Sequence, residues 1–162
     1  MQMSQGVEWG LHCCMVLGWA GSQTRLSTAR LAAKFGLPKA YLNKSLQALT
    51  RAGILTSQAG PRGGFALSRA AGEISLLDVV TAIEGADTAF QCTEIRQKGQ
   101  APAPAQECRS PCGIAKAMYR AEKAWRDALA DQTIADLMEE ASVASRERTV
   151  KWVNDGTTRL TS

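Results

Sequence analysis

The segment from residue 27 to residue 68 constrains the fold of this 162-residue chain more than any other segment. Ser27 or Thr28 can cap a short helix, and Gly36 ends it because glycine is a poor helix former. Pro38 then fits the first turn of a second helix, where its missing N–H does no harm. The pattern predicts two short helices joined by a tight turn. The residues predicted to share the inward face of the second helix are Tyr41, Leu42, Leu46 and Leu49.

A hairpin is predicted directly behind the second helix. The first helix is expected to end at Phe35 and the second at about Ala52, and residues 54–58 and 65–68 have the composition of strands. The glycine-rich residues 59–64 between them favour a turn. Two helices with a tight turn and a hairpin behind them form a winged helix-turn-helix. We therefore expect a mostly α fold that carries a two-stranded wing.

Charge is spread unevenly along the chain. Residues 1–72 hold eight Lys and Arg against one acid, whereas residues 73–162 hold eleven against fourteen. A basic segment beside an acidic one indicates a polyanionic partner, such as double-stranded DNA, for the basic part. A solvated surface of arbitrary sign is the alternative interpretation.

The candidate DNA contacts lie on the polar side of the second helix and at the tip of the wing. Lys and Arg mainly supply phosphate contacts, whereas Asn43 and Gln47 can read base edges. Arg62 at the tip of the wing suits a phosphate or a minor groove, although a solvated loop charge would look the same. The full set is Lys39, Tyr41, Asn43, Lys44, Gln47, Arg51 and Arg62.

The second half of the chain is predicted to be helical on both sides of a central loop. A helix is expected from Glu73 to Gly85, with Ser75 and Asp78 at the serine-to-acid spacing of a helix cap. Thr133 can cap a later helix. The last residues, from Ser145 onward, are mostly polar and are expected to be disordered.

A long amphipathic helix is expected after the central loop, starting near Cys112 and spanning about 18 residues. Its alanine-rich face allows a second helix to approach closely, so we interpret it as a dimerisation helix. Packing against its own domain is the alternative. The residues that recur at helical spacing are Ile114, Ala117, Met118, Ala121, Ala124, Trp125, Ala128 and Leu129.

The cysteines indicate metal or redox chemistry. The chain has five cysteines, an odd number. The apolar run near the N-terminus lacks the basic flank of a signal peptide and is too short to span a membrane. We therefore expect a cytoplasmic protein, in which clustered cysteines more often serve metals or redox switches than structural disulfides. Cys13 and Cys14 point about 100° apart on a helix and are expected in the core. Cys92, Cys108 and Cys112 lie in or beside the central loop.

Glu8 and His12 are the two polar side chains in an otherwise apolar helix, residues 7–20. Being four residues apart, they share one face. A buried carboxylate without a partner is costly, so the two side chains pair with each other, reach solvent or bind a cation. The sequence leaves these three possibilities open.

The run YLNKSLQALTRAGILTSQAGPRGGFALSR, followed by EISLLDVVTAIEG, resembles the Rrf-two family of bacterial winged-helix transcription regulators. The family includes the iron–sulfur cluster biogenesis regulator and the nitric-oxide-sensitive repressor. The resemblance covers roughly residues 1–138 and implies a homodimeric transcription regulator, of the repressor type, that binds a roughly palindromic operator. VEWGLHCC and CTEIRQ are most similar to the redox-sensing branch with a 2Fe-2S cluster.

This branch implies a mixed ligand set in which Glu8 and His12 of one subunit meet Cys108 and Cys112 of the other. The spacing of the cysteines departs from the closely spaced family pattern, so Cys92 is either a nearby non-ligand or an alternative ligand. Iron accepts thiolate, imidazole and carboxylate ligands, which fits this set. Trp9, beside Glu8, is a candidate switch residue, with plain core packing as the alternative.

The resemblance and the patterns together divide the chain into four segments. Residues 1–85 form the DNA-binding domain, 86–112 the cluster-binding loop, 113–145 the dimerisation helix with the following helix, and 146–162 a polar tail. Two rival readings keep the DNA-binding fold but replace the cluster: a thiol–disulfide switch without metal, or structural zinc bound by the loop cysteines and a histidine. An enzyme is not expected, because the sequence offers no nucleophile–base set and no phosphate loop.

Overall fold

The computed structural model describes residues 3–158, with seven α-helices and one two-stranded antiparallel sheet in that range. The mostly helical fold with a two-stranded wing confirms the predicted fold class. The chain divides into two compact units, residues 87–129 and the rest of the chain. The elements are α1 (Gln5–Ala20), α2 (Thr28–Phe35), α3 (Lys39–Arg51), β1 (Leu55–Gln58), β2 (Gly64–Leu67), α4 (Leu76–Glu84), α5 (Gly113–Ala130), α6 (Ile134–Glu140) and α7 (Val143–Thr158).

Helix α1 lies at the centre of the larger unit and packs against α3, α4, α6, α7 and β2. This explains why its sequence is apolar on nearly all sides. Cys13 and Cys14 have no exposed surface, so the prediction that they are core residues is confirmed. Burial raises the pKa of the Cys13 thiol to about 12 and raises that of Cys14 further, so both remain neutral thiols.

The two helices of the helix-turn-helix follow the sequence signals closely. The hydroxyl oxygen of Ser27 accepts a hydrogen bond from the backbone N–H of Arg30 and caps α2. Gly36 ends α2 in the left-handed conformation that glycine adopts without strain. Pro38 lies at the N-cap of α3 rather than inside its first turn.

The wing is held to the segment that precedes α2. Leu26 forms a bridge with Phe65 of β2, with backbone hydrogen bonds of 3.0 and 2.9 Å. Gly64 lies at φ 138°, and a Cβ there would meet the backbone of Leu26 at 2.6 Å. This position therefore requires glycine. The bridge gives the wing a short third segment that the strand pattern did not predict.

The α4–α6 region confirms two predicted caps. Ser75 and Asp78 form a reciprocal capping box at the start of α4, and Thr133 and Asp136 form one at the start of α6. An isolated bridge between Ser75 and Thr133 joins these two helix starts.

The expectation of disorder from Ser145 onward is wrong for the described residues, because they belong to helix α7. Thr149 and Val153, four residues apart on this helix, are buried, although much of the rest of α7 is polar and exposed. The backbone carbonyls of Trp152 and Val153 accept hydrogen bonds of 3.1 and 3.2 Å from Nη2 of Arg30 in α2. Tertiary contacts therefore stabilise a helix whose sequence is too polar to predict it.

The smaller unit contains the cysteine loop and nearly all of α5. Two short 3₁₀ turns, Ile95–Gln97 and Ala105–Cys108, interrupt the loop. Helix α5 has the predicted length of 18 residues, and among its residues only Ala115 is buried.

Candidate nucleic-acid interface and ligand positions

Helix α3 presents a polar and basic outer face. Leu42, Leu46 and Leu49 are fully buried. Tyr41, predicted on the inward stripe and also as a DNA contact, is 62% exposed and therefore belongs to the outer face. The ammonium group of Lys44 lies 5.2 Å from the centre of the Tyr41 ring, which holds both side chains on this face. The other exposed candidates on α3 are Lys39, Asn43 and Arg51, and Gln47 is half-buried.

Asn43 also links the two helices of the motif. The buried Thr28 donates a hydrogen bond of 3.0 Å from its hydroxyl group to Oδ1 of Asn43. This contact fixes the start of α2 against α3. The contact occupies Oδ1 of Asn43 and leaves its NH₂ group available as a donor on the exposed face of α3.

The wing carries Arg62 at its exposed tip, between β1 and β2. Arg25 lies at the base of the wing, where Nη1 donates to the carbonyl oxygen and to Oγ1 of Thr56 at 3.3 and 3.2 Å. Arg25 therefore anchors the hairpin, whereas Arg62 is an exposed charge at its tip. Sequence reasoning did not identify Arg25, because the contact depends on the position of β1 in the folded chain.

Glu8 and His12 are both exposed on α1, and no hydrogen bond or ion pair joins them within the described residues. Of the three possibilities left open by the sequence, the mutual pair is absent. The imidazole of His12 lies 5.5 Å from the ring of Phe35, the last residue of α2, measured between ring centres. It lines a pocket of about 450 Å³ whose walls also include Lys34 and Arg148.

Trp9, the candidate switch residue, is half-exposed and lines a groove between α1 and α3, the helix that corresponds to the recognition helix of a helix-turn-helix. This groove measures about 440 Å³, and Tyr41, Lys44 and Arg51 of α3 also line it. His12 therefore adjoins α2, and Trp9, next to Glu8, adjoins α3.

The three loop cysteines differ in exposure and environment. Cys92 is exposed, whereas Cys108 and Cys112 are half-buried. The backbone N–H of Ala115 lies 3.4 Å from Sγ of Cys112, which stands directly before α5. Hydrogen bonding from this N–H, followed by that of Ile114 and the charge of Arg96, lowers the pKa of Cys112 below its ordinary value. Cys112 therefore ionises more readily than an ordinary cysteine, and the thiolate is the form that binds metals.

Arg96 and Glu94 form a pair that sequence reasoning missed. The Nε and Nη2 atoms of Arg96 donate to the two carboxylate oxygens of Glu94 at 2.6 and 2.8 Å. Arg96 also donates to the carbonyl oxygens of Glu107 and Ser110 at 3.3 and 3.2 Å, on either side of Cys108. Glu94 is the one non-glycine residue with positive φ, 49°, in the described chain. The charged residues of CTEIRQ were the available signal, but the loop geometry could not be inferred from them.

The donor types fit a mixed iron–sulfur site: two thiols on one loop, and a carboxylate with an imidazole on one helix face. Within residues 3–158 of the single chain, no group of three His, Cys, Asp or Glu side chains gathers as a metal site. The ligand set is thus supported by the chemistry of its members and not by an assembled centre in one chain.

Comparison with known proteins agrees with the fold. A family model named Rrf2, described as an iron-dependent transcriptional regulator, matches residues 3–140. The protein rrf2 of Nitratidesulfovibrio vulgaris is 29% identical over 153 residues, which cover 90% of this chain and 93% of that protein.

Two solved structures share the fold. CymR (YrzC), described as the global cysteine regulator of B. subtilis, has a TM-score of 0.69 at 20% identity, covering 88% of this chain and 99% of that chain. T. potens IscR has a TM-score of 0.64 at 19% identity, covering 89% of this chain and 90% of that chain.

The fold and the exposed basic helix define a winged helix-turn-helix DNA-binding protein. The chain belongs to the Rrf2 family of transcriptional regulators. In the part of the chain that the structure describes, no helix has both the length and the apolar composition needed to cross a membrane.

Proposed function

We propose that this regulator is a redox sensor that binds operator DNA as a homodimer and is controlled by a 2Fe-2S cluster at the subunit interface. Glu8 and His12 of one subunit and Cys108 and Cys112 of the other are the proposed ligands. Cys92, exposed on the same loop, is the alternative thiol.

The DNA contacts are proposed on the outer face of α3 and on the wing. Lys39, Lys44, Arg51 and Arg62 are exposed cations, suited to the phosphate backbone. Tyr41 adds an exposed ring beside Lys44, while Gln47 and the NH₂ group of Asn43 are the candidates for base edges. Two such helices must be spaced to fit successive major grooves about 34 Å apart, so the dimer geometry controls affinity.

Helix α5 is the proposed dimerisation helix. Ile114 is 72% exposed and Met118 42% exposed in the single chain, and the alanines of the same face are also exposed. An 18-residue helix spans about 27 Å, long enough for an extensive contact with a second copy. Exposed apolar surface of this kind favours association because burial removes it from water.

The cluster, when bound, would supply reversible one-electron redox chemistry at the proposed interface. The chain provides two thiols, one of which, Cys112, has a lowered pKa for the reasons given above, and an exposed carboxylate and imidazole one helical turn apart. These groups can bind without first breaking an internal ion pair, since none joins Glu8 to His12 in the described residues.

The observation that carries the sensing proposal is the position of the α1 ligand residues beside the DNA-binding motif. His12 contacts Phe35 at the end of α2, and Trp9, next to Glu8, lines the groove shared with Tyr41 and Lys44 of α3. A change in the charge or position of Glu8 and His12 can thus alter the packing of both helices. Trp9 is the proposed switch residue, because its ring lines the groove beside the recognition helix.

The proposal is tested with Glu8→Ala, His12→Ala, Cys108→Ser and Cys112→Ser, each purified without oxygen, with Cys92→Ser as the matched control. We expect each ligand variant to change or lose the visible absorption of the cluster, while the control keeps it. An unchanged spectrum in Glu8→Ala and His12→Ala would remove these residues from the ligand set. A colourless parent protein that contains zinc would support the structural-zinc alternative instead of the cluster. A metal-free parent protein with a disulfide would support the thiol–disulfide switch.

DNA binding is measured separately on the parent protein with the cluster oxidised, reduced and removed. If the cluster controls DNA binding, we expect the affinity for the operator to differ among these three states at constant salt concentration. Equal affinity in all three states would contradict the sensing proposal but leave the DNA-binding function intact.

A further inference from the structure

Arg96 holds together parts of the cysteine loop that are distant in sequence. Its guanidinium group forms a two-pronged contact with Glu94 and donates to the carbonyl oxygens of Glu107 and Ser110. The carbonyl oxygen of Arg96 in turn accepts a hydrogen bond of 2.8 Å from the N–H of Ala103. One residue therefore connects both 3₁₀ turns of the loop.

We propose that Arg96, oriented by Glu94, is a positioning residue that holds Cys108 and Cys112 together as a ready-made dithiol before any metal binds. Its purpose rests on the proposed cluster function, but the positioning itself is a property of the metal-free loop. Arg96 contacts backbone atoms of the residues adjoining Cys108 and within two positions of Cys112, so it acts through the loop and not as a ligand.

The geometry of the contact explains why the position needs arginine. Side-chain exposure of 29% for Arg96 and 28% for Glu94 makes this a partly shielded pair. The planar guanidinium group can satisfy a carboxylate and two carbonyl oxygens at once, because it carries five donors in a fixed arrangement. A lysine keeps the charge but has neither the planar group nor the reach to all four acceptors.

A second observation points to the same role. Glu94 adopts the left-handed backbone conformation at φ 49°, which is unfavourable for a residue with a side chain. The turn at Ile95–Gln97 begins directly after it. The contact with Arg96 offsets this cost and fixes the direction in which the chain enters the loop.

The test uses full-length, metal-free protein in a Cys92→Ser background, so that Cys108 and Cys112 are the accessible thiols among the described residues. Phenylarsine oxide captures two neighbouring thiols: two As–S bonds form, the As=O oxygen leaves as water, and no oxidant is needed. Iodoacetamide, which needs a single thiol and reacts with its thiolate form, reports the accessibility and reactivity of each thiol separately. The variants are Arg96→Lys, Arg96→Gln and Glu94→Gln, with Arg109→Lys as the matched control, an exposed arginine of the same loop.

We expect Arg96→Lys and Arg96→Gln to weaken dithiol capture about tenfold, the scale of losing charge-assisted hydrogen bonds, and Glu94→Gln to weaken it less. Alkylation by iodoacetamide should change little in Arg96→Lys, which keeps the positive charge near Cys112, and hydrogen exchange should increase in residues 104–112 but not in α3. Arg109→Lys should match the parent protein.

Parent-like dithiol capture in Arg96→Lys would overturn the proposal, because charge alone would then suffice. Parent-like capture in both Arg96 variants would overturn it as well. The iron and sulfide content of the parent protein is measured separately. If dithiol capture depends on Arg96 but the parent protein binds no iron, the cluster proposal is contradicted and the positioning role of Arg96 is still supported.

Discussion

The cysteines are the same residue type in the sequence, but they differ in burial and in hydrogen bonding in the structure. Cys13 and Cys14 are buried in α1, and burial raises their pKa values. Cys112 lies before α5, where backbone N–H groups lower its pKa. Residue type alone therefore does not distinguish these cysteines, whereas burial and the local supply of hydrogen-bond donors determine how readily each of these thiols ionises.

Asp136 makes a pH-dependent contribution to the start of α6. Its carboxylate accepts hydrogen bonds of 2.7 Å from both the hydroxyl group and the N–H of Thr133, which lowers its pKa below the ordinary value of 3.8. The stabilisation is present above pH 3.8 and is lost as pH falls through the lower folded-state pKa. We expect Asp136→Ala to lower the unfolding midpoint at pH 7, and the difference from the parent to shrink below pH 3.8.

Thermal unfolding followed by circular dichroism over this pH range measures the effect, with Glu139→Ala, an exposed acid of the same helix, as the control. A constant difference between Asp136→Ala and the parent at every pH would show that the ionised carboxylate is not the stabilising group.

At the scale of elements, local signals predicted most of the fold. Ser27, Gly36, Ser75 and Thr133 each start or end a helix where the sequence indicates, because caps depend on near neighbours. Helix α7 was missed because its stability depends on contacts with α1 and α2. The helical spacing of Trp152 and Val153 with Thr149, a polar residue that is nevertheless buried, was only a weak signal for it.

The candidate site, like the fold, was predictable only where it depends on residues that are close in sequence. The exposed polar residues of α3 follow from helical periodicity and local sequence. The Leu26–Phe65 bridge and the Arg96–Glu94 pair join residues brought together only by folding, so no spacing rule reveals them. The assignment of four ligands came from family resemblance, and it stays a prediction until the metal is measured.

Helix α7 is predicted to stabilise the DNA-binding motif through Trp152. The Arg30 guanidinium carbon lies 4.8 Å from the Trp152 ring centre, and the Lys34 ammonium nitrogen lies 4.6 Å from it. We expect Trp152→Ala to lower the free energy of unfolding by about 2 kcal/mol, because both cation–π contacts and apolar burial are lost. Trp152→Phe should lose less, and Lys151→Ala, an exposed neighbour, should be close to neutral.

Chemical denaturation gives these differences directly. A Trp152→Ala protein as stable as the parent would mean that α7 does not stabilise the motif through this ring.

At the scale of the whole molecule, the proposed cluster site requires two copies of the chain. Met118 lies on the exposed apolar face of α5, and Lys116 lies on the other side of the same helix. We expect Met118→Lys to shift the protein from dimer toward monomer, because it places a charge in a contact that would otherwise be apolar. Operator affinity should fall with it, since a monomer can occupy only one half-site.

Sedimentation measures the change, with Lys116→Glu as the control that alters charge without entering the apolar face. A dimeric Met118→Lys protein with parent affinity for DNA would place the dimer contact elsewhere.

The central claim is that four donors from two chains bind an iron–sulfur cluster. Iron and acid-labile sulfide analysis of the full chain, purified without oxygen, tests this most directly. We expect about two iron atoms and two sulfide ions per chain, with a visible spectrum that Glu8→Ala and His12→Ala alter. A dimer that contains no iron and no sulfide, or a cluster whose spectrum is unchanged by both substitutions, would contradict this claim.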